Sequence, residues 1–191
     1  MSCRSPLAAF GCLIVGCIAS TAQSPYMRPA SGDFDPPPWM ANSARVLFVR
    51  EGSGSNCIIM DERGRFLGES VPGTRFSSMV SAGEHYFIAW TGGTPEALHA
   101  KLLPGRTYWV LVSSGPALWA ITEAKGLTKD IPRYLSSTRE MVPDSDAGQA
   151  YLDSMRAKAT KAVAEGIARH HGYSATDSSD ATLLPDDDRP L

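Results

Sequence analysis

The chain has 191 residues, of which 43% are hydrophobic and 20% are charged, and its formal net charge is -2. This length suits one domain with appendages, and the composition excludes a wholly disordered chain. A near-neutral charge also removes the usual electrostatic basis for binding nucleic acid, so no nucleic-acid partner is expected.

The first predicted element is a secretory signal peptide over residues 1–16. Residues 7–16 are almost wholly apolar and follow Arg4, the only early basic residue. A positive start and an apolar segment of about ten residues are typical of such signals. The segment is too short to cross a bilayer, because a membrane-spanning helix needs roughly twenty apolar residues.

The end of this segment predicts a lipid anchor. The run Ile14-Val15-Gly16-Cys17 resembles the lipobox of bacterial lipoproteins, in which a small residue precedes an obligatory Cys. The thiol of Cys17 would carry the lipid, and palmitate is one of the expected acyl groups. Each methylene buried in the bilayer contributes about 0.8 kcal/mol, so two or three acyl chains anchor stably. Ile18 is not the Asp that retains such proteins at the inner membrane, which favours the outer membrane.

Two alternatives to this anchor stay open. The protein is secreted in soluble form if cleavage follows Ala22 instead, within Ser20-Thr21-Ala22. In the other alternative the signal is not cleaved, and Cys17 remains a buried residue of an apolar anchor. The expected location is the bacterial cell envelope, on the periplasmic or the surface side, with secretion as the alternative.

Residues 17–42 are predicted to be the lipidated Cys and a Pro-rich tether. Five of the fourteen prolines lie between Gln23 and Asn42. Pro-rich segments are extended, so about twenty residues would reach on the order of 60 Å. Beyond this tether Cys57 is the single Cys, and its apolar neighbours predict a small buried hydrophobe rather than a nucleophile.

Residues 43–128 are predicted to form a β domain. Short alternating apolar segments are separated by Gly- and Pro-containing turns, a pattern of a small all-β fold. We therefore expect a mainly β fold, a small antiparallel β-sandwich or barrel of seven to eight strands with a C-terminal helical extension. The predicted strands span residues 45–50, 56–61, 65–69, 74–80, 85–91, 97–102, 107–113 and 118–123.

The richest strands are apolar on both faces, so one face builds the core and the other needs a cover or binds a partner. An exposed platform of aromatic rings would suit a glycan or a protein. The favoured alternative is that these rings fill the core and a helix interface. The residues concerned are Trp90, Trp109, Trp119, Tyr86 and Tyr108.

Residues 129–173 are predicted to be a helical extension, with a short helix over 130–141 and a long helix from Ser145 or Asp146 to about His170. The apolar residues of the long helix recur at intervals of three and four, which is typical of packing on a core. Residues 174–191 hold five Asp and one Arg and are predicted to be an acidic disordered tail.

No motif of a known catalytic site is present, and no catalytic, cofactor-binding or metal-binding residue is predicted. There is no nucleophile elbow, phosphate loop or dinucleotide fingerprint. The adjacent His170 and His171 would point about 100° apart on a helix and cannot chelate one ion together. A hydrolase site would have to be assembled from scattered residues such as Asp61, His85 and His99.

Several turn and strand elements in residues 45–124 are similar to those of a known protein family. The most specific are Ala82-Gly83-Glu84-His85 and Pro104-Gly105-Arg106-Thr107-Tyr108-Trp109. With them the stretch resembles the bacterial envelope-lipoprotein family called domain of unknown function 2846. The resemblance covers under half of the chain and implies an antiparallel β domain behind a lipoprotein signal, with no catalytic residues to carry over. Further family-like elements are Val46-Leu47-Phe48-Val49-Arg50, Asp61 with Gly64, Phe66-Leu67-Gly68, Pro72-Gly73-Thr74-Arg75-Phe76 and Leu98-His99-Ala100-Lys101-Leu102.

Together these observations predict a lipid-anchored protein of the bacterial cell envelope with a non-catalytic β domain that binds an envelope protein or a glycan. The alternatives are an exported hydrolase with an unrecognised site and a secreted soluble β protein. A passive structural lipoprotein without a ligand has the same sequence features.

Overall fold

A computed structural model describes residues 24–31, 40–122, 125–172 and 182–187. The predicted signal peptide and Cys17 lie outside these residues. The described part holds eleven strands and three α-helices, with one-turn helices at Thr128–Asp130 and Pro185–Asp187. The strands are β1 (Met27–Pro29), β2 (Ser43–Arg50), β3 (Cys57–Asp61), β4 (Phe66–Ser70), β5 (Thr74–Ser81), β6 (Gly83–Trp90), β7 (Glu96–Leu102), β8 (Thr107–Val112), β9 (Leu118–Ala120), β10 (Arg139–Pro143) and β11 (Thr182–Leu183); the helices are α1 (Ile131–Ser137), α2 (Ser145–Ser154) and α3 (Arg156–His171).

The strands form two sheets that pack face to face as a sandwich. The first sheet has the order β1-β10-β5-β2-β8-β9, and the second has the order β11-β7-β6-β3-β4. Alternate residues of each strand point between the sheets and build the main core. At its centre the ring of Phe48 stacks on Phe76 at 5.1 Å and meets the edge of Phe87 at 5.5 Å.

Helices cover the outer faces of both sheets. Tyr134 of α1 packs on an outer apolar cluster of the first sheet, and α2 and α3 pack on a cluster of the second sheet. Gly148 lets α2 approach β4 closely, because a Cβ there would lie 2.3 Å from the ring of Phe66. The strands were predicted to be apolar on both faces, and these helices explain why.

The predicted β class is confirmed, and β2 to β9 match the eight predicted strands to within a few residues. The predicted antiparallel arrangement is wrong in part, because β2 pairs with β8, β5 with β10 and β7 with β11 in parallel. The two sheets have separate strand orders, so the fold is a sandwich and no closed barrel.

Three strands fall outside the predicted β domain. β1 lies within the predicted tether and pairs with β10, with Met27 opposite Pro143. The prediction of a tether is therefore wrong for these residues, because Met27 is buried against the sandwich. Leu183 of β11 is also fully buried beside β7, so the prediction of a disordered tail is wrong there. Residues 174–181 and 188–191 lie outside the described residues.

The predicted helical extension is divided differently from the expectation. The short helix ends at Ser137, and Arg139–Pro143 forms β10 instead of the end of that helix. The long helix is interrupted at Met155, whose φ of -115° and ψ of 23° separate α2 from α3. The extension is thus an integral part of the sandwich. Among the described ranges, none of the helices combines the length and the hydropathy that a membrane span requires.

Candidate functional site

The five aromatic residues of the predicted platform do not share a surface. Tyr108 points into the main core, and its neighbour Trp109 points to the opposite face, beneath α1. Trp90 is buried under the helices of the second sheet, where its indole N–H donates to the Gly93 carbonyl at 3.1 Å. Tyr86 is half-buried beside α3, and Trp119 on β9 is 40% exposed. The five rings therefore do not form the possible platform. Trp90, Trp109 and Tyr108 fill the core and the helix interfaces, as in the favoured alternative, whereas Trp119 is exposed on a separate strand.

The scattered residues of the hydrolase alternative also do not meet at one point. His99 is opposite Tyr86 in the pairing of β6 with β7, so it lies on the outer face of the sheet, while His85 lies on the inner face. The imidazole Nδ1 of His85 lies 3.3 Å from the Glu62 carboxylate, and its Nε2 lies 2.9 Å from the Ser81 carbonyl oxygen.

Asp61 has a structural environment of its own in the turn between β3 and β4. Its carboxylate accepts hydrogen bonds from the backbone N–H groups of Arg63 and Arg65, at 3.0 and 2.8 Å. The Arg65 guanidinium Nε also donates to it, at 3.0 Å. These bonds are those of an Asp that closes a tight turn.

The single Cys beyond the predicted anchor is fully buried in the main core, as predicted. Burial raises the pKa of the Cys57 thiol to about 12, although the nearby Arg50 guanidinium opposes that rise. A thiol with such a pKa stays protonated at neutral pH and is a poor nucleophile. No group of three or more His, Cys, Asp or Glu in the described ranges is arranged to hold a metal ion.

The strongest candidate binding site is a groove of about 290 Å³ beside the break between α2 and α3. Its other wall is the turn that joins β3 to β4. Its floor is apolar and formed by Leu152, Ala159 and Val163. Its polar lining consists of Glu62, Arg63, Gln149, Asp153, Arg156 and Thr160, and Gly64 completes the turn. We call this site the groove.

The groove exists because three local features hold its walls apart and in place. Gln149 fixes α2 to the sheet, since its side-chain carbonyl accepts from the backbone N–H of Phe66 at 3.0 Å. The break at Met155 turns the chain at the groove's edge, and its N–H bonds to the Leu152 carbonyl at 3.1 Å. Gly64, at a φ of +73°, allows the tight turn on the other side.

Charges of both signs line the mouth of the groove. The guanidinium of Arg156 lies 3.3 Å from the Asp153 carboxylate, and that of Arg63 lies 3.8 Å from Glu62. The two arginine side chains are 77% and 83% exposed, so most of their donors face solvent. Ligand sites are usually lined mainly by apolar side chains, whereas polar and charged side chains outnumber apolar ones in the groove, so it suits recognition by hydrogen bonds.

Sequence reasoning missed the groove, although it placed Leu152 and Val163 on the apolar stripe of a helix. The walls come from two segments about ninety residues apart. The Asp153–Arg156 pair at a spacing of three is a weak signal that such a helix turn carries polar contacts.

Comparisons with known proteins identify no similar protein. No protein-family model matches the chain, and no curated protein or solved structure is significantly similar to it. The resemblance to the domain of unknown function 2846 therefore stays a prediction.

Proposed function

We propose that this chain is a lipid-anchored protein of the bacterial outer membrane whose non-catalytic β domain binds an envelope protein or a glycan. The observation that carries the binding part is the groove, with its apolar floor and its two exposed arginines. The lipobox-like run that ends at Cys17 supports the anchor. The resemblance to an envelope-lipoprotein family supports the same location.

The volume and polarity of the groove limit its ligand to a short segment of a peptide or a glycan. A volume of about 290 Å³ is at the small end of the range for ligand pockets, so it admits a few peptide residues or one or two sugar rings. Arg63 and Arg156 would donate to carboxylates, and Asp153 and Glu62 would accept from hydroxyl or amine groups. Cell-wall fragments carry all of these groups and are the first probe to use.

The anchor is tested by labelling cells with palmitate and fractionating their membranes. We expect label and outer-membrane association in the wild type and loss of both in Cys17→Ser, because acyl chains cannot be attached without the thiol. Retention of the label in this variant would contradict the anchor at Cys17. Secretion of the wild type into the medium without label would favour the soluble alternative.

The groove is tested by calorimetric titration of the detergent-solubilised protein with soluble cell-wall fragments. The double variant Arg63→Ala/Arg156→Ala should weaken binding by at least about tenfold, since a hydrogen bond to a charged group contributes about 1.5–3 kcal/mol. Lys161→Ala is the matched control, because Lys161 is an exposed cation of α3 that does not line the groove.

Two results would contradict this assignment. Unchanged affinity in the double variant would place the ligand elsewhere on the domain, and Trp119→Ala would then test the outer face of the first sheet. Failure of both cell-wall fragments and cross-linked envelope proteins to bind the wild type would remove the binding role.

A further inference from the structure

Three of the chain's four histidines meet where the end of α3 contacts the second sheet. The hydroxyl of Tyr86 lies 2.9 Å from Nε2 of His171. The Tyr86 ring lies 4.9 Å from the ring of His99 and 5.4 Å from that of His170, and these two imidazoles are 5.9 Å apart. We call these four residues the histidine cluster.

The histidine cluster supplies much of the contact that holds the end of α3 on the second sheet. The buried residues of α3 are Ala159, Ala162, Val163, Gly166 and His170, so His170 is the only large side chain among them. Small side chains bury little apolar area, and their contribution to docking is correspondingly small. Besides the partly buried Ile167 and the ion pair of Arg169 with Glu96, the attachment of the C-terminal turn depends on the contacts of the imidazoles with Tyr86.

Among the described residues, the surroundings of the cluster offer no excess of negative charge. The charged neighbours on the packed elements are Glu84 on β6, Glu96 and Lys101 on β7, and Arg169 on α3. Strand β11 places Thr182 opposite His99 and carries no charged residue. Glu84 lies 3.9 Å from His99 but only 3.1 Å from the Lys101 ammonium, and Glu96 lies 3.7 Å from the Arg169 guanidinium. Both carboxylates are thus shared with a cation, and they leave little attraction for protonated imidazoles.

We propose that the histidine cluster is an acid-sensitive latch. Neutral imidazoles hold the C-terminal turn of α3 on β6 and β7, and protonation of His99 and His170 releases that turn. Two imidazolium groups about 6 Å apart repel each other, and the burial of His170 and partial burial of His99 deprive them of hydration that release of the turn would restore. This inference is independent of the lipid anchor and of any ligand in the groove.

The direction of the pH effect follows from the two imidazoles. Burial lowers the pKa of His99, against the attraction of Glu84. Burial followed by the neighbouring histidines lowers the pKa of His170, against a hydrogen bond to the Ala97 backbone. The docked turn therefore binds fewer protons than the released turn. Docking is strongest above a pH of about 6.5 and weakens as the pH falls below that value.

The test is hydrogen exchange of the full chain in detergent micelles at pH 7.5, 6.5 and 5.5, corrected for intrinsic exchange. Backbone amides of residues 168–172 should exchange at least about tenfold faster at pH 5.5 than at pH 7.5, while those of β2 should not change. In His99→Phe/His170→Gln the rates should be independent of pH, because both substitutes stay neutral. His85→Gln is the control, since His85 lies outside the cluster, and it should keep the response.

A response below twofold in the wild type, or an equal response in the double variant, would overturn the latch. If the double variant fails to dock at pH 7.5, imidazole resonances of the wild type decide the question. Two of them should titrate with midpoints below 6.5 that coincide with the rise in exchange. Midpoints unrelated to that rise would also overturn the proposal.

Discussion

Replacing Arg50 with Ala is expected to lower the free energy of unfolding by about 3 kcal/mol. Arg50 is a fully buried arginine at the end of β2, and it donates to the carbonyl oxygens of Ser70 at 3.1 Å and Ser114 at 3.2 Å. These bonds join β4 to the turn between β8 and β9. The substitution removes both bonds, leaves the two carbonyl oxygens short of a donor and opens a cavity.

Burial of the charged guanidinium costs free energy. Relief of this cost in Arg50→Ala offsets part of the loss of stability. No carboxylate within the described ranges forms an ion pair with Arg50, its Nε–H has no partner there, and burial lowers its pKa. Removing an uncompensated charge from the interior is favourable by itself. Gly54 is fitted to this group, because a Cβ at that position would lie 2.8 Å from the guanidinium Nη2.

Chemical denaturation of Arg50→Ala and Arg50→Met separates the cost of losing the hydrogen bonds from the cost of the cavity. Met fills most of the volume without charge, so it should cost about half as much as Ala. Equal losses in the two variants would show that the cavity contributes nothing. An Ala variant as stable as the wild type would show that the bonds to Ser70 and Ser114 do not stabilise the fold.

The second large effect is expected at Trp109, where substitution by Ala should cost about 3–5 kcal/mol. Trp109 is fully buried and packs with Leu47, Ile121 and Tyr134, so its loss would open a cavity between the first sheet and α1. Trp119 is the matched control because it is the exposed member of the predicted platform, and its Ala variant should cost less than about 1 kcal/mol.

Trp109→Phe adds a finer measurement. The indole N–H of Trp109 is buried without a hydrogen-bond partner in the described part of the chain. Phe removes this unsatisfied donor along with part of the ring, so its cost should be well below that of Ala. Thermal unfolding followed by near-ultraviolet circular dichroism would report both stability and the packing around these rings. A Phe variant as unstable as Ala would contradict the unsatisfied state of the donor.

Local patterns were sufficient to predict the eight central strands, because alternation and Gly or Pro turns leave a signal in each segment. They could not predict β1 or β11, which have three and two residues and depend on pairing with distant segments. The parallel pairing of β2 with β8 likewise depends on contacts between segments that are distant in the chain. The break at Met155 contains no Gly or Pro, so the apolar periodicity predicted one continuous helix across it.

The candidate site was less predictable than the fold for the same reason. Alternation alone places Tyr108 and Trp109 on opposite faces of one strand, which already argues against a shared platform. The groove, in contrast, needs the turn at Arg63 to meet a helix break at Met155, and no local pattern in either segment indicates the other. Which histidines approach Tyr86 is also set by the docking of α3.

The position of β1 fixes how far the domain can stand from a lipid on Cys17. Seven peptide links separate Cys17 from Ser24, and a chain of that length spans at most about 25 Å. The run Pro36-Pro37-Pro38, which suggested a longer stalk, follows β1 and therefore joins two parts of the folded domain. If Cys17 is acylated, the sheet edge at β1 lies within that distance of the lipid, and a partner of the domain would have to approach the membrane surface to be bound.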